Sequence, residues 1–262
     1  MTSDCALAGK TIVVTRPLAQ ARGLAEAIAA AGGQAMIFPL LEISASSDPR
    51  PLAQVIERLD TYDLAIFISP NAVAFALPVI LAHSPWPSRL QPAAVGQGTV
   101  KALAAHGLTG CLAPRQRFDS EALLALPELA SVAGKRIAIF RGEGGRELLA
   151  DTLISRGACV DCVACYRRSA PASDGSPLLA AWRRGEIDAL TLSSSEGLRH
   201  LCALLDDEGW RFLQATPLFV THARIGENAL NAGLNKIILS SPDDGGIVTA
   251  LLAHTWSLSA KQ

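Results

Sequence analysis

The chain has 262 residues, half of them apolar and 5% aromatic, and a formal charge of −1. Ala, Leu, Val and Ile can therefore build a sizeable core, as one large domain or two modest ones. The near-neutral charge, with no basic tail or basic helix, excludes nucleic acid as the main partner, because phosphate neutralisation needs clustered Lys and Arg. The opening MTSDCALAGKTIVV has no charged start followed by an apolar stretch, so no secretory leader is expected. Short apolar runs then alternate with helical patterns. Strands are predicted over Thr11–Thr15, Met36–Leu41, Leu64–Ser69, Ala93–Val95, Arg136–Phe140, Val160–Tyr166, Ala189–Ser193, Leu218–Thr221 and Lys236–Ser240. Helices are predicted between them, including Leu18–Ala31, Ala72–Ala82, Thr99–Ala105, Arg146–Arg156 and Ile225–Ala232. This alternation predicts an α/β fold with parallel sheets and crossover helices. Leu64–Ser88 carries no Asp, Glu, Lys or Arg and is long enough to be weighed as a membrane span. Ser69-Pro70-Asn71, Pro78 and Pro85 interrupt it, which favours a buried strand, a turn and a buried helix.

The second half repeats the first. Ile12 and Ile137 open equivalent strands, Arg16 and Arg141 end them, and Gly32 and Gly157 close the following helices, each pair 125 residues apart. Ser69 and Ser193 lie 124 apart, and Gly107 and Gly233 lie 126 apart. A repeat this long implies two similar domains rather than a solenoid. The Ser-, Ala- and Pro-rich segments Leu41–Pro51 and Tyr166–Pro177 are the expected linkers. The working site is expected in a cleft between the halves.

Six cysteines are present. Cys159-x2-Cys162-x2-Cys165 resembles part of an iron–sulfur run, but position 169 is Ser and the segment alternates like a strand. On a strand Cys159 and Cys165 share one face and Cys162 points to the other, so they do not converge. Small buried thiols in a reducing, cytoplasmic compartment are the expectation. The histidines show no i, i+4 pair, and neither a metal site nor a phosphate loop is predicted. Gly96-x-Gly98-x-x-Lys101 lacks the third glycine of a dinucleotide fingerprint.

Hydroxyl, amide or guanidinium groups recur at strand ends just before helices. Arg16, Ser69, Asn71, Gly98, Thr99, Arg141, Gly142, Ser193, Ser194, Ser195, Thr221 and His222 all stand there. In open α/β sheets these loops gather at the ligand-binding edge, where helix N-termini suit carboxylate or phosphate. Any one of them is as readily a helix cap; the set, present in both halves, predicts an anion-binding site. Tyr166, one of only two tyrosines, ends the strand leading into the second linker. Its phenol can donate a proton to a leaving oxygen or simply sit as an amphipathic residue at a junction.

These residues resemble the uroporphyrinogen-III synthase family. The match runs through Val14-Thr15-Arg16-Pro17, Phe67-Ile68-Ser69-Pro70-Asn71, Val95-Gly96-Gln97-Gly98-Thr99, Lys135–Leu149, Tyr166-Arg167-Arg168 and Leu192–Leu198. The resemblance implies two parallel-sheet, flavodoxin-like domains joined by a two-stranded antiparallel ladder, with the chain crossing twice. Residues 1–41 plus 169–262 would form one domain and 47–165 the inserted one, with 42–46 and 166–168 as linker strands. It implies closure of the linear tetrapyrrole hydroxymethylbilane with loss of water and inversion of the last ring. Tyr166 would be the acid, no metal or organic cofactor would be needed, and neighbouring tetrapyrrole-pathway enzymes would be possible partners. His222 and Arg224 stand where some members place small hydroxyl residues, and both could meet carboxylates. A non-catalytic tetrapyrrole- or anion-binding module of the same fold, and an unrelated sensor for a phosphorylated ligand, are the alternatives at this point. No membrane association is predicted, and nothing in the sequence demands an oligomer.

Overall fold

The structure is a computed structural model that describes residues 6–145 and 147–256. Cys5, one of the six cysteines, and Arg146, the expected start of a helix, lie outside the described residues. In chain order the elements begin with β1 (Thr11–Val14), α1 (Leu18–Ala30), β2 (Gln34–Ile37), β3 (Glu42–Ala45), α2 (Arg50–Glu57), β4 (Leu64–Phe67) and α3 (Pro70–His83). Next come β5 (Gln91–Ala94), α4 (Gln97–Ala105), α5 (Ser120–Leu124), α6 (Pro127–Ala130), β6 (Arg136–Gly142), α7 (Leu148–Ser155) and β7 (Cys159–Ser169). The chain closes with α8 (Ser176–Arg183), β8 (Ala189–Leu192), α9 (Ser195–Leu204), α10 (Asp207–Ala215), β9 (Leu218–Val220), α11 (Ala223–Asn231), β10 (Ile237–Leu239) and α12 (Asp244–Ala253).

Two compact units emerge, one of Met1–Glu42 with Ser169–Gln262 and the other of Ile43–Arg168. The first holds a sheet ordered β10-β9-β8-β1-β2, in which every pair is parallel. The second holds a sheet ordered β3-β7-β6-β4-β5, with β7, β6, β4 and β5 running parallel. The central strands are buried on both faces, which is why they read as unbroken apolar runs. Side chains alternate: Val13 joins the core under α8, α9 and α11, while Ile12 and Val14 join the core under α1 and α12. In the second unit Ala138 and Phe140 face α2, α3 and α4, and Ile137 and Ile139 face α5, α6 and α7. Each buried Leu, Ile or Phe contributes about 1.5–3 kcal/mol of transfer free energy.

The repeat is visible in the strand registers. Thr11 pairs with Gln34 as Arg136 pairs with Cys159, and Ile12 pairs with Ala189 as Ile137 pairs with Leu64. Phe219 stands opposite Ile238 as Ala93 stands opposite Leu112, so the single bridge at Leu112 takes the place of β10. Gly32 and Gly157 end α1 and α7 at φ of 84° and 86°, a left-handed turn that an L side chain resists.

Several expectations need correction. The β2 ladder begins at Gln34 and ends at Ile37, because Pro39 has no N–H to continue it; Phe38 and Leu40 each add one bond to Val14 and Thr15. The Leu41–Pro51 linker contains β3, and Arg50 and Pro51 already open α2. Residues 166–168 are the end of the eleven-residue strand β7 rather than a separate segment. Leu64–Ser88 folds as a buried strand, turn and helix, but Pro78 sits inside α3 without ending it, on the exposed side of the helix. Cys159 and Cys162 are exposed and only Cys165 is buried, because the flanking helices pack over the central strands and leave the start of β7 uncovered. Among the described residues no helix is long and apolar enough to cross a membrane. Among them, too, no three His, Cys, Asp or Glu side chains come together as a metal site would need.

Candidate functional site

In the second unit, the C-terminal strand edge centres on Tyr166. β6 and β7 run in register until Arg141, which faces Ala164; Gly142 then faces Tyr166, and Cys165 is passed over. That bulge bends β7 and re-aims its next side chain, as bulges beside sites commonly do. The Tyr166 ring is 2% exposed and stacks on Phe75 of α3, with ring centroids 6.1 Å apart. A Cβ on Gly142 would stand 2.8 Å from two ring atoms of Tyr166, so only glycine leaves room for the ring here. The Tyr166 hydroxyl lies 3.1 Å from Ser69 Oγ, and Ser69 Oγ also accepts the Ala72 N–H at 3.1 Å as the N-cap of α3. Arg168 Nη2 donates toward the same phenol at 3.5 Å, with its guanidinium 5.8 Å from the ring centroid.

The remaining expected residues of this unit spread along the same edge. Asn71 is half-buried in the first turn of α3; Gly98 is exposed and Thr99 buried in the first turn of α4. Arg141 is 7% exposed and its Nη1 donates to Glu147 at 3.0 Å. Burial pulls the Arg141 pKa down, but hydrogen bonds to Glu147 and Cys162 outweigh it and hold the guanidinium firmly charged. Glu143 accepts from Ser46 Oγ at 2.8 Å and from the Ser47 N–H at 3.1 Å, and these bonds hold its carboxyl below the ordinary range. A cavity of ≈ 330 Å³ opens beside Arg141 and Arg168, walled by Ile68, Val95, Leu149 and the exposed Phe118.

The first unit presents a matching edge. Arg16 follows β1, and its guanidinium grips Asp244 of α12 and donates to the Pro242 carbonyl at 2.8 Å. Ser193 follows β8 half-buried; Ser194 caps α9 by accepting the Gly197 N–H at 2.9 Å; Ser195 Oγ accepts from Asn228 Nδ2 at 2.9 Å. Thr221 is buried after β9, its N–H bonded to the Leu192 carbonyl at 3.2 Å, while His222 and Arg224 are exposed at the start of α11.

The structure therefore brings Tyr166, Ser69, Gly142 and Arg141 onto one edge, and Arg16, Ser193, Ser194, Ser195, Thr221, His222 and Arg224 onto the other. It also separates roles. Ser69 and Ser194 are caps in fact, and the charges of Arg16 and Arg141 are met within their own units by Asp244 and Glu147. Arg168 was not among the expected site residues, although it lies two residues from Tyr166 on the same strand, a spacing that signals a shared face. Phe75 and Phe118 left no comparable signal.

Two doubly wound α/β units, each with hydroxyls, amides and helix N-termini at its strand ends, define the class of open α/β proteins whose strand edges suit an anionic small molecule. The comparisons narrow this class. Residues 22–249 match the family model described as Uroporphyrinogen-III synthase HemD. The chain is 36% identical over 248 residues to the uroporphyrinogen-III synthase of Escherichia coli (strain K12), covering 92% of this chain and 99% of that one. Identity and coverage are the same for the enzyme of Salmonella typhimurium. Among solved structures, a mutant uroporphyrinogen III synthase from the extremely thermophilic bacterium Thermus thermophilus matches with a TM-score of 0.59 at 16% identity, over 92% of this chain and 97% of that one. Uroporphyrinogen-III synthetase from Helicobacter pylori 26695 matches with a TM-score of 0.56 at 15% identity, over 93% and 99%. The chain belongs to the uroporphyrinogen-III synthase family, and at these identities the solved structures attest the fold.

Proposed function

We propose that this member of the uroporphyrinogen-III synthase family closes hydroxymethylbilane to uroporphyrinogen III with Tyr166 as the acid. It is a hydro-lyase of tetrapyrrole biosynthesis. The observation that carries the role of Tyr166 is its phenol, fixed at a strand edge by the Gly142 gap, the Phe75 ring and Ser69. Either hydroxyl can donate across the Ser69–Tyr166 contact; with Ser69 as the donor, the phenolic proton is left to face a leaving hydroxyl.

The steps follow from the atoms. Proton donation to the terminal hydroxymethyl oxygen lets the C–O bond break with its electron pair, releasing water. The resulting ring–methylene cation is attacked by the substituted carbon of the last pyrrole. The spiro intermediate fragments, recombines at the other side of that ring and loses a proton, which restores the phenol. The free bilane closes without inversion, so positioning is the protein's main contribution. Eight carboxylates on the substrate suit the helix N-termini and hydroxyls of both edges, including Thr99, Ser193, Thr221, His222 and Arg224. We read the two units as the enzyme's two domains, with β3 and β7 as the antiparallel crossing strands. The five free cysteines among the described residues fit a reducing, cytoplasmic setting. Hand-over of product to a neighbouring pathway enzyme completes this reading.

The test supplies hydroxymethylbilane and separates the oxidised porphyrin isomers. An excess of type III over the protein-free control is expected, and Tyr166→Phe is expected to slow turnover with the fold intact. An isomer ratio equal to the control would sink the enzyme reading, and wild-type turnover in Tyr166→Phe would remove the phenol from the mechanism.

A further inference from the structure

A cavity of ≈ 330 Å³ lies on the α7 side of the second unit. Its volume lies at the low end of the roughly 300–1,000 Å³ range of ligand pockets, enough for one substituted ring and far too little for a tetrapyrrole. Its wall is mixed: Ile68 from the end of β4, Val95 from the end of β5, Ile139 from β6 and Leu149 from α7 form an apolar side, and Ser120 and two guanidiniums form a polar one. Phe118 stands at the mouth with 52% of its surface exposed, which is unusual for an aromatic ring with a core within reach. Two guanidiniums line the same cavity, and they differ. Arg141 is spent on Glu147. Arg168 faces no carboxylate within ion-pair distance among the described residues; it touches the Tyr166 hydroxyl and ring instead. Asp119, also in the lining, accepts the Ala122 N–H at 2.8 Å and pairs with Arg117 Nη2 at 2.6 Å.

A slot with one apolar side, an exposed aromatic ring in its lining and a guanidinium that meets no carboxylate among the described residues is complementary to a flat ring carrying a short carboxylate arm. We infer that this cavity is a subsite for one pyrrole of the substrate, with Phe118 against the ring face and Arg168 paired to that ring's carboxylate. The inference rests on the proposed reaction and adds to it. Arg168 touches both the cavity and the phenol, so a ring held here is tethered to the group that acts on the leaving oxygen. Phe118 and Arg168 thereby select for a carboxylate-bearing ring at this position, and Arg168 fixes where the bilane sits relative to Tyr166. A planar guanidinium holds a carboxylate through two parallel bonds, which a lysine does not reproduce.

Steady-state kinetics with hydroxymethylbilane test this on Phe118→Ala, Arg168→Met and Arg168→Lys, with Tyr166→Phe in the same series. Both side chains are exposed, so thermal unfolding should stay near wild type and confirm intact protein. Phe118→Ala is expected to raise KM on the order of tenfold with kcat changed by less than about threefold; Arg168→Met should raise KM by a similar factor and also lower kcat, because Arg168 touches the phenol, and Arg168→Lys should recover only part of the KM loss. A monopyrrole bearing one acetate and one propionate, titrated against isotope-labelled protein, should shift the Phe118 ring signals, and Arg168→Met should weaken that titration. Wild-type KM in both variants, or a loss confined to kcat in Arg168→Met, would overturn the subsite. A slowed Tyr166→Phe beside that result would leave the phenol's role standing, whereas raised KM values beside an unaffected Tyr166→Phe would support the subsite and remove the phenol.

Discussion

Replacing Gly142 by alanine adds one methyl group to a backbone that accepts it, because Gly142 is absent from the positive-φ glycines. The new Cβ would stand 2.8 Å from Tyr166 Cε2 and Cζ and 3.1 Å from its hydroxyl. Carbon atoms in comfortable contact are about 3.5–4.0 Å apart, so the ring must move by roughly 0.7–1.2 Å. It has little room to do so, with Phe75 stacked on it and Ser69 bonded to its oxygen. Overpacking of this kind costs about 1–3 kcal/mol of stability, which a domain of this size tolerates. A misplacement of about 1 Å at the reacting group can cost on the order of 10²-fold in rate. Gly142→Ala is therefore expected to remain folded while type III formation falls by one to two orders of magnitude, read as porphyrin isomers over time. A double-mutant cycle with Tyr166→Phe separates cause from accident: once the phenol is gone, adding Gly142→Ala should cost little further rate. Gly145→Ala is the internal comparison, because the nearest atoms to its Cβ belong to the Arg141 guanidinium and not to Tyr166. Full activity in Gly142→Ala, or a rate loss that simply adds to that of Tyr166→Phe, would refute the link between the glycine and the phenol.

Tyr62 is fully buried, its hydroxyl bonded to Asp161, and burial together with that carboxylate pushes its pKa up to about 12. A group whose pKa is raised on folding stabilises the native state fully below its unfolded value, so stability should drop as pH climbs from about 10 to about 12; Tyr62→Phe should flatten that drop in urea titrations. Burial likewise pushes the Cys165 thiol up to about 12, and its Sγ lies 3.2 Å from the Arg141 carbonyl. In mass spectrometry after iodoacetamide at neutral pH, Cys159 should be labelled early and Cys165 only when the protein unfolds; early labelling of Cys165 would show that β7 opens locally.

The strands were legible because their side chains are buried on both faces and leave apolar runs, uninterrupted in Leu64–Phe67 and broken only by the buried Thr191 in Ala189–Leu192. Their ends were less so, since the hydrogen bonds that set them, such as Phe38 N–H to Val14 O, depend on a neighbouring strand and not on local composition. Ser69, Arg141 and Tyr166 stood out as polar groups closing apolar strands. What the pattern did not carry was partnership. Nothing near Arg16 in the sequence announces Asp244, 228 residues away, and nothing in the spacing of Arg141 and Glu147 announces their bond. So the sequence marks Arg16 and Arg141 as site candidates without showing their carboxylate partners, while Arg168, which meets no carboxylate among the described residues, appears only as part of the Tyr166-Arg167-Arg168 match. The thiols failed for a related reason. Period-two alternation assigns faces correctly but does not say where a covering helix stops, and Cys159 and Cys162 lie beyond that limit.

The registers also bear on how the repeat was assembled. In sequence the halves run A-B-A-B, where A is β1-β2 or β6-β7 and B is β4-β5 or β8-β9. Each unit combines a B from one half with an A from the other, so the second unit runs B then A, whereas the first runs A, is interrupted, and resumes with B. A simple duplication of a finished domain would have produced two units of identical order. The pairing is equivalent all the same: Ile12 faces Ala189 as Ile137 faces Leu64. Each unit also carries its own core on both faces of its sheet. Chain continuity through the other unit should then be dispensable for folding. A permuted chain of 169–262, a short Gly/Ser linker and 1–42 would run B then A like its counterpart. It is expected to unfold cooperatively, with an enthalpy on the order of 0.7 kcal/mol per residue near 60 °C, as is the fragment 43–168. A broad, non-cooperative transition in the permuted chain beside a sharp one in 43–168 would show that the first unit depends on its insertion to close, and that the two units are equivalent in pairing but not in autonomy.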